Sequence, residues 1–294
     1  MLKTVSDLQY QYFKGFFEGH EKYILTYQSW RPIFCEKVVV LLHGLGEHVG
    51  RYTPLIEAFK NKGIAFYGYD QRGHGLSNGK RGHVPSFQHL AEDFLRFLKL
   101  VSVHENNRPL FVFAHSLGGL VCLNYLIDYH QKGGVLPQGV ILSNPIIKLA
   151  LVPPAWKVKL ATTVSKILPG LLFHNEVNLN DLSHDPKIAE SFDQDPLCHQ
   201  KISAGFYVEM LKAMERVKNN PGAILAPTLM LLGGQDRVID PKESQEFFSN
   251  MKAQKSLKLY PTFYHELVHE IGKEKVFVDI DEWILGFQEK VSVG

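Results

Sequence analysis

The stretch between residues 110 and 129 restricts the fold of this chain more than any other part of its sequence. Residues 110–113 are an apolar run without a polar break, typical of a strand buried on both faces of a sheet. Ser116 follows, and apolar residues then recur at helical spacing from Leu117 to Tyr129. A sharp turn from a buried strand into a helix would raise the serine hydroxyl above the sheet edge. The rival interpretation is a serine that caps an ordinary helix.

The residues around the serine have the sizes that such a turn requires. A strand, a turn with Gly-x-Ser-x-Gly and a helix make up the nucleophile elbow of α/β-hydrolases, and this chain has Ala-His-Ser-Leu-Gly at 114–118. Small residues two positions before and after the serine let the strand and the helix approach closely. Ala114 adds one methyl group where glycine is usual, but it remains small. Ser116 is therefore the predicted nucleophile.

A glycine-bearing turn follows an earlier apolar strand. Residues 38–42 are wholly apolar and run directly into His-Gly-Leu-Gly at 43–46. In α/β-hydrolases, a loop of this form donates one backbone N–H to the oxyanion, and the residue after the nucleophile donates the other. The pattern thus predicts the N–H groups of Leu45 and Leu117 as the oxyanion hole. The alternative is a purely structural turn between a strand and a helix.

An acid and a histidine each follow a late strand. Asp236 comes just after the apolar run 228–232, and His265 comes just after 257–260. Serine, then acid, then histidine is the chain order expected for this fold. Asp240 competes with Asp236, but it precedes a proline and is better placed to cap a helix that begins there. His269 competes with His265, which we favour because it lies in the loop directly after the strand.

Strand and helix patterns alternate over most of the chain, which predicts a mostly parallel central sheet flanked by helices. Together with the serine turn and the order serine, acid, histidine, this predicts an α/β-hydrolase fold. The alternation stops between residues 147 and 222, where prolines and helical stretches occur and no convincing strand is found. The predicted domains are therefore a core, residues 1–146 and 223–294, and an inserted helical cap, residues 147–222. The cap would cover the carboxyl ends of the strands.

One cap helix, predicted over residues 155–168, has the character of a membrane-contacting lid. Apolar side chains share one face, and lysines lie largely off that face. An apolar stretch, residues 171–173, follows it. This pattern predicts peripheral contact with a lipid or membrane surface through the cap. The alternative is that the apolar face belongs to the interior of the cap itself.

Charge and composition narrow the remaining classes. The net charge is +2 without a basic run, which argues against nucleic acid as a partner. Residues 1–12 lack the features of a signal peptide, and apolar runs stay well below the ~20 residues of a membrane span. Three scattered cysteines fit reduced thiols in the cytoplasm. Chemistry by a serine, a histidine and an aspartate requires no metal and no organic cofactor, so none is expected.

Several motifs together resemble the monoacylglycerol lipases and related lysophospholipases of the α/β-hydrolase superfamily. The resemblance covers nearly the whole chain and is weakest in the cap. The motifs are Ser-Trp-Arg-Pro at 29–32, His-Gly-Leu-Gly-Glu-His at 43–48 with Gly-Arg-Tyr at 50–52, Asp-Gln-Arg-Gly-His-Gly-Leu-Ser at 70–77, Arg-Gly-His-Val at 81–84, His-Ser-Leu-Gly-Gly at 115–119, Asp-Pro-Leu at 195–197, Gly-Gly-Gln-Asp at 233–236 and Tyr-His-Glu-Leu at 264–267.

The resemblance implies a serine hydrolase with Ser116, Asp236 and His265 as its triad, and Leu45 and Leu117 as its oxyanion donors. It would cleave a monoacylglycerol into a fatty acid and glycerol through an acyl-enzyme. Lysophospholipase and general carboxylesterase activities are near alternatives, and a peptidase is a weaker one because no acidic pair is evident in the cap. A more distant alternative is a ligand-binding protein with a hydrolase fold.

Overall fold

The fold is built on one central sheet of eight strands. The computed structural model describes residues 10–129, 132–151 and 153–287; most of residues 1–12, and the prediction about a signal peptide there, lie outside these ranges. The described residues form ten strands, of which β7 and β8 lie outside the central sheet. They are β1 (Gln11–Glu18), β2 (Ile24–Arg31), β3 (Lys37–Leu42), β4 (Ile64–Tyr69), β5 (Leu110–His115), β6 (Gly139–Ser143), β7 (Leu172–His174), β8 (Lys201–Ser203), β9 (Thr228–Gly233) and β10 (Lys255–Tyr260).

The order of strands in this sheet is β1-β2-β4-β3-β5-β6-β9-β10. β1 and β2 are antiparallel to their neighbours, and the other six strands are parallel to one another. The predicted class, an α/β fold with a mostly parallel sheet, is confirmed. Because the carboxyl ends of parallel strands meet at one edge, the loops after β3, β5, β9 and β10 converge there.

Helices cover both faces of the sheet. Their bounds are α1 (Thr53–Ala58), α2 (Phe87–His104), α3 (Leu117–Asp128), α4 (Ala155–Ile167), α5 (Pro186–Gln194), α6 (Ala204–Lys218), α7 (Pro241–Asn250) and α8 (Glu274–Leu285). One apolar layer of the core includes residues of α2, α3 and α6, and a second layer includes residues of α1 and α8. In α2, apolar residues recur at helical spacing, so that Leu90, Phe94 and Val101 lie on one face of the helix. All three side chains are fully buried.

The chain between β6 and β9 contains α4, α5 and α6 together with two short strands. β7 pairs with β8 in an antiparallel ladder of three residues each. The expectation of no strand in this segment was therefore wrong, because three residues are too few for alternation to be visible in a sequence. α6 packs against α2, α3 and α4, so it joins this segment to the rest of the fold.

α4 differs from the other long helices in having no buried residue. Trp156 is 62% exposed and Ile167 is 74% exposed. Among the helices in the described ranges, none combines the length and apolar character that crossing a membrane requires.

Candidate active site

Ser116 lies at the turn between β5 and α3, where its backbone has φ 51° and ψ −115°. This left-handed value of φ is uncommon for a residue other than glycine. The close approach expected from the sequence is present, since a β-carbon at Gly118 would collide with the backbone of Leu42 and His43. Ala114 is completely buried, and its methyl group fits at the end of β5.

A chain of two hydrogen bonds joins Ser116, His265 and Asp236. His265 Nε2 is 2.9 Å from Ser116 Oγ, and His265 Nδ1 is 2.7 Å from Asp236 Oδ2. The carboxylate accepts the Nδ1 proton, so Nε2 can accept the serine hydroxyl proton. All three side chains are buried. The structure thus brings the three predicted residues together at the carboxyl edge of the sheet.

The Asp236 carboxylate is held from its other side by backbone donors. Its Oδ1 accepts hydrogen bonds from the N–H groups of Val238 at 2.7 Å and Ile239 at 3.0 Å. Asp240 instead accepts from the N–H groups of Lys242 and Glu243 and caps α7. The two candidate acids therefore have different partners, and Asp236 is the one that contacts His265.

The electrostatic surroundings of His265 favour its charged form. Burial lowers the pKa of this imidazole, but the neighbouring Asp236 carboxylate raises it, and the net shift is upward. The adjacent His115, whose ring centre lies 4.8 Å from that of His265, shows the opposite shift. Burial and the nearby His265 lower the pKa of His115 to about 4, so His115 stays neutral beside the site.

The two predicted oxyanion donors belong to neighbouring loops. Leu42 at the end of β3 pairs in register with Ala114 of β5, and the loops that follow therefore meet. Leu45 lines the same cavity as Ser116. Leu117 is the first residue of α3, and the N–H of such a residue has no partner within its helix.

Glu47, which sequence reasoning did not assign to the site, fixes the loop that carries Leu45. Its Oε1 accepts the N–H of Gly44 at 2.5 Å and the hydroxyl proton of Tyr52 at 2.7 Å. Its Oε2 accepts from Arg51 Nε at 3.1 Å. The signal available in the sequence was a glutamate four residues before an arginine. This spacing alone does not distinguish a buried pair from a surface pair on a helix.

Arg51 extends this network to the loop of His265. Its Nη2 donates to Glu266 Oε2 at 2.7 Å, and Glu266 directly follows His265. Burial raises the pKa of Glu266, but Arg51 and His269 lower it, and the net shift is downward. His269, the rival histidine, places its Nε2 2.7 Å from the carbonyl oxygen of Arg51 and supports the network from outside the Ser116–His265 contact.

A cavity of about 100 Å³ opens beside Ser116 and His265. Most of the side chains that line it are apolar and many come from the segment between β6 and β9, including Leu149, Val177, Leu182, Phe192 and Met210. A smaller polar set also lines it, namely Glu47, Asn175, Gln200, Tyr207 and Glu266. An apolar cavity with a few polar groups is the usual form of a site for a small organic ligand.

One cluster with metal-ligand side chains, His48, Asp195 and Cys198, lies near the site. His48 Nδ1 accepts the N–H of Gly50 at 3.2 Å, which places the imidazole proton on Nε2. Nε2 is 2.9 Å from Asp195 Oδ2 and donates to it. A ligating nitrogen must instead present a lone pair, so this arrangement is a hydrogen bond that joins the segment between β6 and β9 to the loop after β3. The expectation that no metal is needed stays a prediction.

Comparison with known proteins places the chain among α/β-hydrolases. A family model described as "Serine aminopeptidase, S33" matches residues 35–272. The curated monoacylglycerol lipase of Mycolicibacterium smegmatis is 29% identical over 264 residues, which are 89% of this chain and 92% of that protein. With these matches the chain belongs to the α/β-hydrolase superfamily and, within it, to the family of monoacylglycerol lipases.

Two further similar proteins are a solved structure and a longer sequence relative. The crystal structure of a monoacylglycerol lipase from Paleococcus ferrophilus aligns with a TM-score of 0.77 at 30% identity, covering 94% of this chain and 99% of that one. An uncharacterized abhydrolase domain-containing protein of Dictyostelium discoideum is 33% identical over 271 residues, or 90% of this chain. This chain spans only 28% of that longer protein.

Proposed function

We propose that this protein is a serine hydrolase that cleaves monoacylglycerols into a fatty acid and glycerol. The observation that carries the proposal is the chain of hydrogen bonds from Ser116 through His265 to Asp236, at the wall of a mainly apolar cavity. Family membership supports it, because relatives that align over almost their whole length are named monoacylglycerol lipases.

In the first half of the reaction, Ser116 Oγ attacks the carbonyl carbon of the ester while His265 Nε2 takes the hydroxyl proton. Asp236 keeps the imidazole oriented and stabilises its charged form. The N–H groups of Leu45 and Leu117 hold the oxyanion, each contributing roughly 3 kcal/mol in comparable enzymes. His265 then gives its proton to the departing glycerol oxygen, which leaves the acyl group on Ser116.

In the second half, a water molecule takes the place of glycerol. His265 accepts a proton from this water as its oxygen attacks the acyl carbonyl. The tetrahedral species collapses, the proton passes from His265 to Ser116 Oγ, and the fatty acid leaves. Each step uses groups of the chain itself.

The charges of the cavity wall favour a neutral head group. Glu47 and Glu266 both line the cavity, and Arg51 donates to both of them. A phosphate in their vicinity would be repelled by these two carboxylates, whereas the hydroxyls of glycerol can donate to carboxylate oxygens. This charge distribution supports a monoacylglycerol over a lysophospholipid, the nearest alternative.

The test compares fatty-acid release from a monoacylglycerol, the matching lysophosphatidylcholine and a short-chain ester, with Ser116→Ala beside the wild type. We expect the monoacylglycerol to react fastest and Ser116→Ala to lose almost all turnover, while Ser191→Ala, an exposed serine of α5, keeps it. Unchanged turnover in Ser116→Ala would exclude the proposed nucleophile.

The ranking of substrates separates the alternatives. A faster reaction of the lysophospholipid or the short ester would keep the mechanism and change the substrate class. An aminoacyl arylamide belongs in the same assay, because the family description names aminopeptidases. Binding of a lipid without turnover of any substrate would favour a ligand-binding protein.

We further propose that residues 147–222 act as a cap that moves to admit the substrate. Side chains of this segment, among them Leu182, Phe192 and Met210, line the cavity beside Ser116, so the position of the segment sets the space open to an acyl chain. The exposed apolar side chains of α4 would meet the membrane from which such a substrate comes.

The free cysteines Cys35, Cys122 and Cys198 support action on the cytoplasmic side.

A further inference from the structure

β1 is the edge strand at one end of the central sheet. In the part of the chain that the structure describes, β2 pairs along one side of β1 and no strand lies along the other. A free edge of eight residues is a template for pairing with another strand. The opposite edge, β10, carries Lys255 and Lys258 and no acidic residue, a composition that discourages pairing between copies.

The outward side chains of β1 combine exposed aromatic rings with opposite charges. Because side chains alternate along a strand, Tyr12, Lys14, Phe16 and Glu18 share one face. Tyr12 is 56% exposed and Phe16 is 67% exposed. Lys14 and Glu18 are exposed as well, and neither forms an ion pair with any residue in the described ranges.

We propose that two copies of this chain pair antiparallel through β1, with the two-fold axis at Phe16. Residues at equal distances from the axis then oppose each other. Lys14 of one copy faces Glu18 of the other, and the same pair recurs on the far side of the axis. Directly opposed side chains have β-carbons about 4.5–5.5 Å apart, and opposite charges or aromatic rings in such pairs are stabilising.

Several registers place opposed side chains of the two β1 strands on the same face of the sheet. Charge complementarity selects the register centred on Phe16 among them. With the axis at Lys14, two lysines would oppose each other. With the axis at Gly15, Lys14 would face Phe16, and with the axis at Phe17, Phe16 would face Glu18. The axis at Phe16 alone satisfies both charges of the strand and also brings the two exposed Phe16 rings together.

The resulting dimer would join two eight-stranded sheets into one continuous sheet. No residue of β1 or β2 is among the cavity-lining residues, so pairing leaves each cavity open. Substitutions on β1 are therefore expected to change the oligomeric state without changing kcat or KM, which provides an internal check that the variants are folded.

The experiment is sedimentation velocity over a range of protein concentrations. We expect the wild type to dimerise reversibly, and Lys14→Glu and Glu18→Lys each to weaken dimerisation roughly tenfold or more, since each change makes both cross-strand pairs repulsive. A 1:1 mixture of the two variants restores both pairs, as does the double variant. Lys252→Glu, at an exposed position outside β1, is the matched control.

Two results would overturn the proposal. One is a wild type that stays monomeric up to about 100 µM, a concentration at which even a weak specific pair is well populated. The other is a dimer that neither charge reversal weakens, as association through the apolar surface of α4 would give. Failure of the mixture to recover the dimer would exclude the register centred on Phe16.

Discussion

Ser116 holds a strained backbone conformation because its neighbours fix both of its peptide groups. Its N–H donates to the carbonyl of Ser143 at 3.0 Å, and its carbonyl accepts from the N–H groups of Leu120 and Ile146. A residue in a sparsely populated region of backbone space costs about 1–3 kcal/mol and persists only where its surroundings determine it. The hydrogen bonds to β6, to the loop that follows β6 and to α3 meet that condition, so the hydroxyl is preoriented toward His265.

Exchange of one carboxylate for an amide tests the assignment of the acid. Asp236→Asn keeps the shape of the side chain but stabilises the wrong tautomer of His265, and we expect kcat to fall about 10⁴-fold. Asp240→Asn is the matched control, because asparagine caps a helix as well as aspartate does. Steady-state kinetics with the preferred ester measures both variants. A larger loss in Asp240→Asn would show that the acid is Asp240.

The raised pKa of His265 sets the acidic limb of the activity profile. His265 must be neutral to accept the serine proton, so kcat/KM falls as the pH drops through its pKa, and we expect that midpoint above 6.5, the usual value for histidine. In Asp236→Asn, burial still lowers the pKa of His265 but no carboxylate raises it. The midpoint of the residual activity should therefore move to lower pH. A wild-type midpoint well below 6.5 would contradict this account.

At the scale of elements, the sequence predicts the features that depend on the residues of a single strand, helix or turn. The buried strands, the serine turn and the loops of Asp236 and His265 can be predicted because each is a local pattern of several residues. The β7–β8 ladder and the contacts of α6 with α2 and α3 depend on segments distant in sequence. The role of Glu47 was missed for another reason: its partners Gly44 and Arg51 are close in sequence, but a Glu–Arg spacing of four residues does not show that the pair is buried.

Removal of the Glu47 carboxylate tests whether it positions the oxyanion loop. Glu47→Ala leaves the buried N–H of Gly44 without a partner, which costs about 1–3 kcal/mol of stability. It also frees the loop of Leu45, and a displacement of about 1 Å there can cost ~10²-fold in rate. We expect kcat to fall far more than KM changes.

Glu47→Gln is the control for this variant. Glutamine retains an oxygen that accepts the N–H of Gly44, so most of kcat should return even though the charge that faces Arg51 is lost. Kinetics and thermal unfolding measured on both variants separate positioning from stability. Equal loss of kcat in the two variants would assign the effect to charge rather than to loop position.

At the scale of the whole molecule, the reactive groups are enclosed while the apolar side chains of α4 are exposed. Ser116, His265 and Asp236 are buried at one edge of the sheet, beneath the segment between β6 and β9. α4 forms part of that segment and buries none of its residues. This arrangement suits the proposed enzyme, which would take its substrate from a lipid surface and react with it at a site shielded from bulk solvent.

Two substitutions on α4 test its contact with membranes. Replacing Leu160 and Ile167 by serine removes exposed apolar surface without adding charge, and we expect binding to phosphatidylcholine vesicles to weaken about tenfold or more. Replacing Val103 and Leu136, which are also exposed, makes the matched control. Vesicle flotation measures both double variants. Equal binding of the two would assign membrane contact to another surface.

The chain leaves the sheet after β6 and re-enters it at β9, the strand directly beside β6. Both ends of the inserted segment are therefore fixed on neighbouring strands of the sheet, whatever the length or composition of the residues between them. Because α6 packs on α2 and α3, an exchange that keeps α6 can alter the rest of the insertion without disturbing the register of the sheet or the loops that hold the triad. New substrate ranges could arise in evolution, or by grafting that part of one member's insertion onto another, while the chemistry is inherited unchanged.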